Sequence, residues 1–325
     1  MNTDRINWLN IGLMIAACIA ALVTPFRVFL YAYAILGPLH YLTEISWLHD
    51  RDYFAPRPAL RRGWLVLVLG AMVAVTVGYV GSEILHRPIS PTIEMFLVIV
   101  AFIAAGAAVF AKYRLSALAL TLLGAVIVGT VAQNAQFAIA AYLLVTMVHV
   151  LLFTGCFILF GAAKSRSTSG FISFAVFCAC TAATMIVISA GPTDAAIRAS
   201  YSAFEQLNLV LLMLTGQHGV SPYGEAGRRV MQLIAFAYTY HYLNWFSKTS
   251  VIRWHEVSKK RAVGIAALWA GSVALYLYDY RFGFSVLYVL SVLHVLLEFP
   301  LNHHTVAGLL RALRPSVVQR VARAS

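Results

Sequence analysis

The sequence predicts an all-α fold: a polytopic transmembrane helical bundle of about ten spans with one re-entrant half-helix. Three observations carry this. Hydrophobic residues make up 61% of the chain against 11% charged, and a mean hydropathy of +0.80 exceeds what a soluble domain of this length tolerates. Residues 115–161 contain no Asp, Glu, Lys or Arg, enough for two passes. Lys and Arg gather in short connections too brief to form a soluble domain.

Uncharged runs bounded by Pro, Gly, Arg and Lys place spans near 7–25, 28–48, 63–81, 94–111, 115–132, 137–161, 171–191, 229–247, 262–279 and 283–299. The first could be mistaken for a secretory signal, but another apolar run follows at once and no soluble mature domain comes after it. The run 207–214 is too short to cross alone and leads into Gly216-Gln217-His218-Gly219, so it reads as a half-helix that enters and returns. Loops 49–62 and 248–261, the Lys112/Arg114 and Lys164/Arg166 connections and the tail are all basic. They share one side only if the 207–214 run does not cross, which puts both termini in the cytoplasm, in a bacterial inner membrane. The single transmembrane domain then covers 1–300. Residues 301–325 interleave Leu309, Leu310, Leu313, Val317, Val318 and Val321 with four arginines, the pattern of a basic amphipathic interfacial tail.

The net charge of +12 lies in these loops, so it acts as a topology signal and argues against a nucleic-acid partner. Cys18, Cys156, Cys178 and Cys180 sit in apolar runs and read as small hydrophobes. Cys178 and Cys180, two residues apart on a helix, point to different faces and make a poor metal pair.

Ionisable residues inside spans are costly and mark functional sites. His40, His149, His241 and His294 all fall on spans running toward the cytoplasm, roughly 8–18 Å before the inner end at 1.5 Å per residue. They can therefore meet in one layer. Glu44 follows His40 by four and Glu298 follows His294 by four, which stacks each pair on one helix face. Two such pairs on facing helices are how bundles hold non-haem iron, with zinc or manganese also suited to the donors. The expected metal ligands are His40, His149, His241, His294, Glu44 and Glu298, the two glutamates completing the shell or moving protons as catalytic groups. The competing structural reading makes each histidine a satisfied core residue and each glutamate its local partner.

Tyr238, Tyr242, Asn244 and Trp245 around His241, and Glu205, Gln206 and Asn208 at the re-entrant run, are candidates for orienting the ligands. His218 suits an exposed loop, and His303 and His304 are possible extra ligands. His49, His86 and His255 read as loop residues. Clustered histidine boxes of the desaturase type, a His-Glu-x-x-His zincin motif and a Gly-x-Ser-x-Gly elbow are all missing.

The segment Gly37-Pro38-Leu39-His40 with Glu44 resembles the Gly-x-Pro-His-Gly-x-x-Asp segment of the Brp/Blh family of membrane β-carotene dioxygenases. His149, the aromatic-flanked Tyr240-His241-Tyr242-Leu243-Asn244-Trp245, and His294 follow in similar order. The resemblance implies iron-dependent cleavage of a carotenoid's central double bond, with His40, His149, His241 and His294 as iron ligands. Here the proline and histidine are shifted relative to that segment, Glu44 replaces its acid, and Trp245 stands where the family has a second histidine.

The residues together lead to the expectation of a membrane-embedded non-haem iron oxygenase acting on a lipid-soluble substrate: a carotenoid, other isoprenoid or acyl lipid. The same residues are open to three other uses. A zinc-dependent lipid hydrolase would activate water, a haem-binding electron carrier would use paired histidines, and a metal-ion or proton transporter would use a His/Glu relay.

Overall fold

A computed structural model of the chain describes residues 3–85, 92–112, 145–187, 195–205 and 221–313, with positions 119, 122–124, 126, 127, 130, 208, 209 and 212 between them. Among the described residues the regular structure is helical, without strands. The order is α1 (Thr3–Val23), α2 (Pro25–Tyr31), a π-turn (Ala32–Leu36), α3 (Gly37–Asp50), α4 (Arg61–Leu85) and α5 (Thr92–Phe110). A second π-turn (Val148–Phe153) leads into α6 (Thr154–Ser165), then α7 (Thr168–Ile186), α8 (Ala195–Tyr201), α9 (Glu225–Ser247), α10 (Lys259–Tyr278) and α11 (Tyr280–Leu313).

Local chemistry sets these boundaries. Pro25 opens α2, where its missing N–H costs nothing. The Ser167 hydroxyl accepts the Gly170 N–H at 3.2 Å and caps α7, and Ser258 caps α10 through the Arg261 N–H. The first π-turn ends where Pro38, lacking an N–H, cannot bond the Ala34 carbonyl as an α-helix requires. The widened turn leaves the Ile35 carbonyl to accept the Trp269 indole N–H at 2.9 Å, which ties the turn to α10.

Six helical segments are long and apolar enough to cross a membrane, as an integral membrane protein needs: Asp4–Val23, Pro58–Gly78, Val145–Ser165, Thr168–Ile186, Lys259–Tyr278 and Tyr280–Leu313. Met95–Phe110 is a shorter apolar helix. The expected spans at 28–48 and 229–247 do form helices, α2–α3 and α9, but these are more polar and fall outside that set. Their polarity matches their place. Every residue of α9 from Ile234 to Tyr242 is buried, which covers all faces of the helix and makes it a centre rather than a lipid-facing wall. Most of the expected span 115–132 and of the run 207–214 lies outside the described residues.

The last expected span, 283–299, lies within α11, which runs through Pro300 to Leu313 and so includes the first residues of the segment 301–325 expected at the interface. Proline removes one N–H from the ladder, but Phe299, Pro300, Asn302, His303, Thr305 and Leu309 are buried, and that packing holds the turn. The rest of the tail, 314–325, lies outside the described residues.

α9 packs on α1, α2, α7 and both π-turns; α11 packs on α3, α4, α5, α6 and α10. Each anchors its own apolar cluster. Phe29, Tyr201, Met231, Ile234 and Phe236 fill the first, and Trp64, Val68, Ala101, Leu296 and Phe299 the second. On the side where α3 ends, Arg261 of α10 holds Asp50 at 2.5 Å. The guanidinium, with His49 beside it, keeps the Asp50 carboxyl below the usual carboxylate range.

Candidate metal centre

At the seam between the two apolar clusters, α3, the 145–165 helix, α9 and α11 each deliver one histidine. The rings of His40, His241, His149 and His294 form a closed cycle, with centroids 4.7 Å apart for His40–His241, 5.0 Å for His241–His149, 5.4 Å for His149–His294 and 5.4 Å for His294–His40. Glu44 and Glu298 close against the cycle, and all six side chains are buried. The structure thus brings together every residue expected as a ligand. Two overlapping groups, His40/His241/His294 and His149/His294/Glu298, each place their donor atoms within 4.8 Å of one another and could hold a metal ion.

The contacts inside the cluster are crowded in a particular way. His40 Nε2 lies 3.0 Å from His241 Nε2 and 3.0 Å from Glu44 Oε2; His149 Nδ1 lies 3.1 Å from Glu298 Oε2. Both carboxylate oxygens nevertheless lack an aligned hydrogen bond, as do His40 Nδ1, His149 Nε2 and His294 Nε2. A buried polar atom without a partner costs about 1–3 kcal/mol, so five in one place demand an explanation. Two donors each about 2.1 Å from one ion and at right angles are about 3 Å apart, the spacing seen here. The donor set and its unpaired atoms are therefore compatible with a bound metal ion.

Neighbouring groups fix which nitrogen each ring offers. The Thr154 hydroxyl donates to the Val150 carbonyl at 2.9 Å, so its oxygen must accept the His241 Nδ1–H, also at 2.9 Å. His241 Nε2 is left with its lone pair 3.0 Å from His40 Nε2, placed to accept that ring's N–H or to face an ion. His294 Nδ1 donates to the Ser291 carbonyl at 2.5 Å, freeing Nε2 for the cluster. Asn302 lies 3.4 Å from His149 Nδ1. His40 is braced by rings: Tyr242 and Trp245 stand at 5.2 and 5.6 Å, and the Trp245 indole donates to Thr43 at 3.0 Å, pinning α9 to α3.

The π-turns aim two of the histidines. One ends just before the turn that carries His40, and the other contains His149. Single π-turns in α-helices recur at functional sites because the extra residue redirects the side chains that follow.

Not every candidate joins. His303 Nε2 donates to the Phe102 carbonyl at 2.8 Å and His304 Nε2 to the Pro56 carbonyl at 3.1 Å, so both are satisfied by backbone. Tyr223 donates to Glu205 at 2.6 Å and Asn208 to the Gly227 carbonyl at 3.0 Å, in contacts outside the cluster. His49 and His255 are exposed, and Cys178 is exposed while Cys180 is buried. Gln206, His218 and His86 lie outside the described residues. Thr154, Ser291 and Asn302 were not anticipated. Asn302 carried a signal, four residues beyond Glu298 on the same face, which ending the helix at Pro300 obscured.

A cavity of about 580 Å³ opens beside the cluster and is lined at its inner end by His40, Glu44, His241 and Glu298. It extends past Trp245 to Lys164 and Lys248. Lys248 is half-buried, and burial of its amine pushes the pKa down to about 8. No protein-family model, curated protein or solved structure matches the chain.

Proposed function

We propose that the chain is an integral membrane oxidoreductase: a non-haem iron oxygenase acting on a lipid-soluble substrate such as a carotenoid, another isoprenoid or an acyl lipid. The observation that carries this reading is the crowding of ring nitrogens and carboxylate oxygens to 3.0–3.1 Å without hydrogen bonds aligned between them. In the same reading the polar helices α2–α3 and α9 count as spans, the total reaches ten, and both termini face the cytoplasm.

His40, His149, His241 and His294 would hold the iron, with Glu44 or Glu298 completing its shell. The bound iron would supply redox chemistry toward dioxygen at positions the protein leaves open. The chain's own residues do the rest. Thr154 and Ser291 keep the imidazoles in one tautomer, and the glutamate not spent on the metal can take or return a proton next to it. The apolar walls of the cavity exclude water and seat the substrate, in a volume typical of a site for one small molecule. A haem reading fits less well, because nitrogens 3.0 Å apart with two more rings packed against them leave no slot for a macrocycle.

The test is metal content and oxygen uptake on detergent-purified protein. Wild type should carry iron and consume oxygen with a polyene or acyl substrate, and His40→Ala and His294→Ala should lose both. Unchanged metal in both variants sinks the site. Zinc with activity under nitrogen replaces the oxygenase with a hydrolase.

A further inference from the structure

The cavity is unequal at its two ends, and that inequality says what shape of molecule fits it. Inside are two glutamates with His40 and His241 of the cluster; Phe157, Ile158, Trp47 and Trp245 form apolar wall, with Asn10, Ser173 and Asn244 also on the lining; Lys248 and Lys164 supply its positive charge. Lys248 follows His241 by seven residues, which sets its backbone about 10 Å further along α9 at 1.5 Å per residue. Among the described residues its ammonium makes no ion pair or hydrogen bond, although every other charged group lining this cavity is either a glutamate of the cluster or the exposed Lys164.

We propose that the cavity takes a single-chain amphiphile with an anionic head, held at Lys248 and Lys164, whose apolar tail reaches the histidine cluster. The inference rests on the proposed metal centre and narrows its substrate class. Charge sets the orientation. With a divalent ion bound, the carboxylates of Glu44 and Glu298 balance its charge and the inner end carries no net charge for an anionic head to answer, whereas the Lys248 ammonium, without an ion pair among the described residues, gains from an anion beside it. The C-termini of α6 and α9, which end beside Lys164 and Lys248, each carry about half a negative charge, and the two lysines more than offset them. An uncharged polyene would leave Lys248 unanswered. The aromatic and aliphatic walls around Phe157, Ile158, Trp47 and Trp245 suit a hydrocarbon tail.

The experiment uses the metal-loaded full chain in an uncharged detergent and three probes of equal chain length: a fatty carboxylate, the monoalkyl phosphate and the alcohol. Each competes against a fluorescent fatty acid. The carboxylate or the phosphate should bind at least about tenfold tighter than the alcohol, the better of the two naming the head. Lys248→Gln should cut the preference at least about threefold and the double variant Lys164→Gln/Lys248→Gln should erase it, with metal content unchanged in both, and Lys248→Arg should retain it. Parity of all three probes in wild type overturns the proposal, as does a preference that survives undiminished in the double variant. A two-chain anionic phospholipid that competes as well as the single-chain acids also overturns it, because Lys248 would then merely face bilayer lipid. Wild type purified without metal sinks the centre itself, a failure read from metal analysis and separate from the ratio between probes.

Discussion

The tautomer of His241 depends on a single hydroxyl. Thr154 has one proton and gives it to the Val150 carbonyl, so its oxygen is obliged to accept from Nδ1, and the ring presents Nε2 to the cluster. Thr154→Val keeps the shape of the side chain and removes that acceptor. The ring loses its orienting bond and its Nδ1–H is buried unpaired. Metal affinity is then expected to fall about 10–100-fold, the usual cost of losing a group that orients a metal-bound histidine, with helix content unchanged. Metal-buffered titration of both proteins measures this, and equal affinities would mean that Thr154 does not set the ring. The hydroxyl left no trace in the sequence, where Thr154 is one of several threonines in charge-free runs. The four histidines were legible because hydropathy alone ordered the spans, and that order put all four on helices running the same way.

At the scale of elements, the two π-turns are what sequence reading cannot see. A π-turn adds one residue to a helix, and neither composition nor a 3.6-residue period registers a single extra residue. Pro38 marked the first one as a break in the ladder without saying how the chain would absorb it. The turn matters because α2 is fixed by Phe26 and Phe29, both buried in the first apolar cluster, while α3 must aim His40 at α9 and α11. Deleting Ala34 would restore an α-helical count and rotate α3 by about 100° relative to α2 at 3.6 residues per turn. His40 and Glu44 would leave the cluster together, since they lie on one face. The expected result is a helical protein by circular dichroism that has lost most of its metal. Full metal retention after the deletion would show that the turn does not direct His40. The continuation of α11 past Pro300 was hidden for a related reason: a proline breaks a helix in water, but packing on both sides can carry the helix past it.

Across the whole molecule, the seam between two apolar clusters is filled by six buried ionisable side chains, an expensive way to join two halves of a bundle. α9 belongs to one half and α11 to the other, and the cluster is where both meet α3 and the 145–165 helix. An ion bound there would couple the halves, since it is held by groups from both and has no comparable site in the unfolded chain. Stability should therefore rise with free metal as RT ln(1 + [M]/Kd), about 2.7 kcal/mol at a hundredfold excess over Kd. Thermal unfolding in detergent should shift upward with each tenfold increase in buffered metal and downward with a strong chelator. His294→Ala should flatten that dependence, because His294 is common to both donor groups and its loss breaks each of them. If metal-loaded and chelated wild type melt at the same temperature, no ion bridges α9 and α11, and the six polar side chains must be satisfied by proton sharing among themselves.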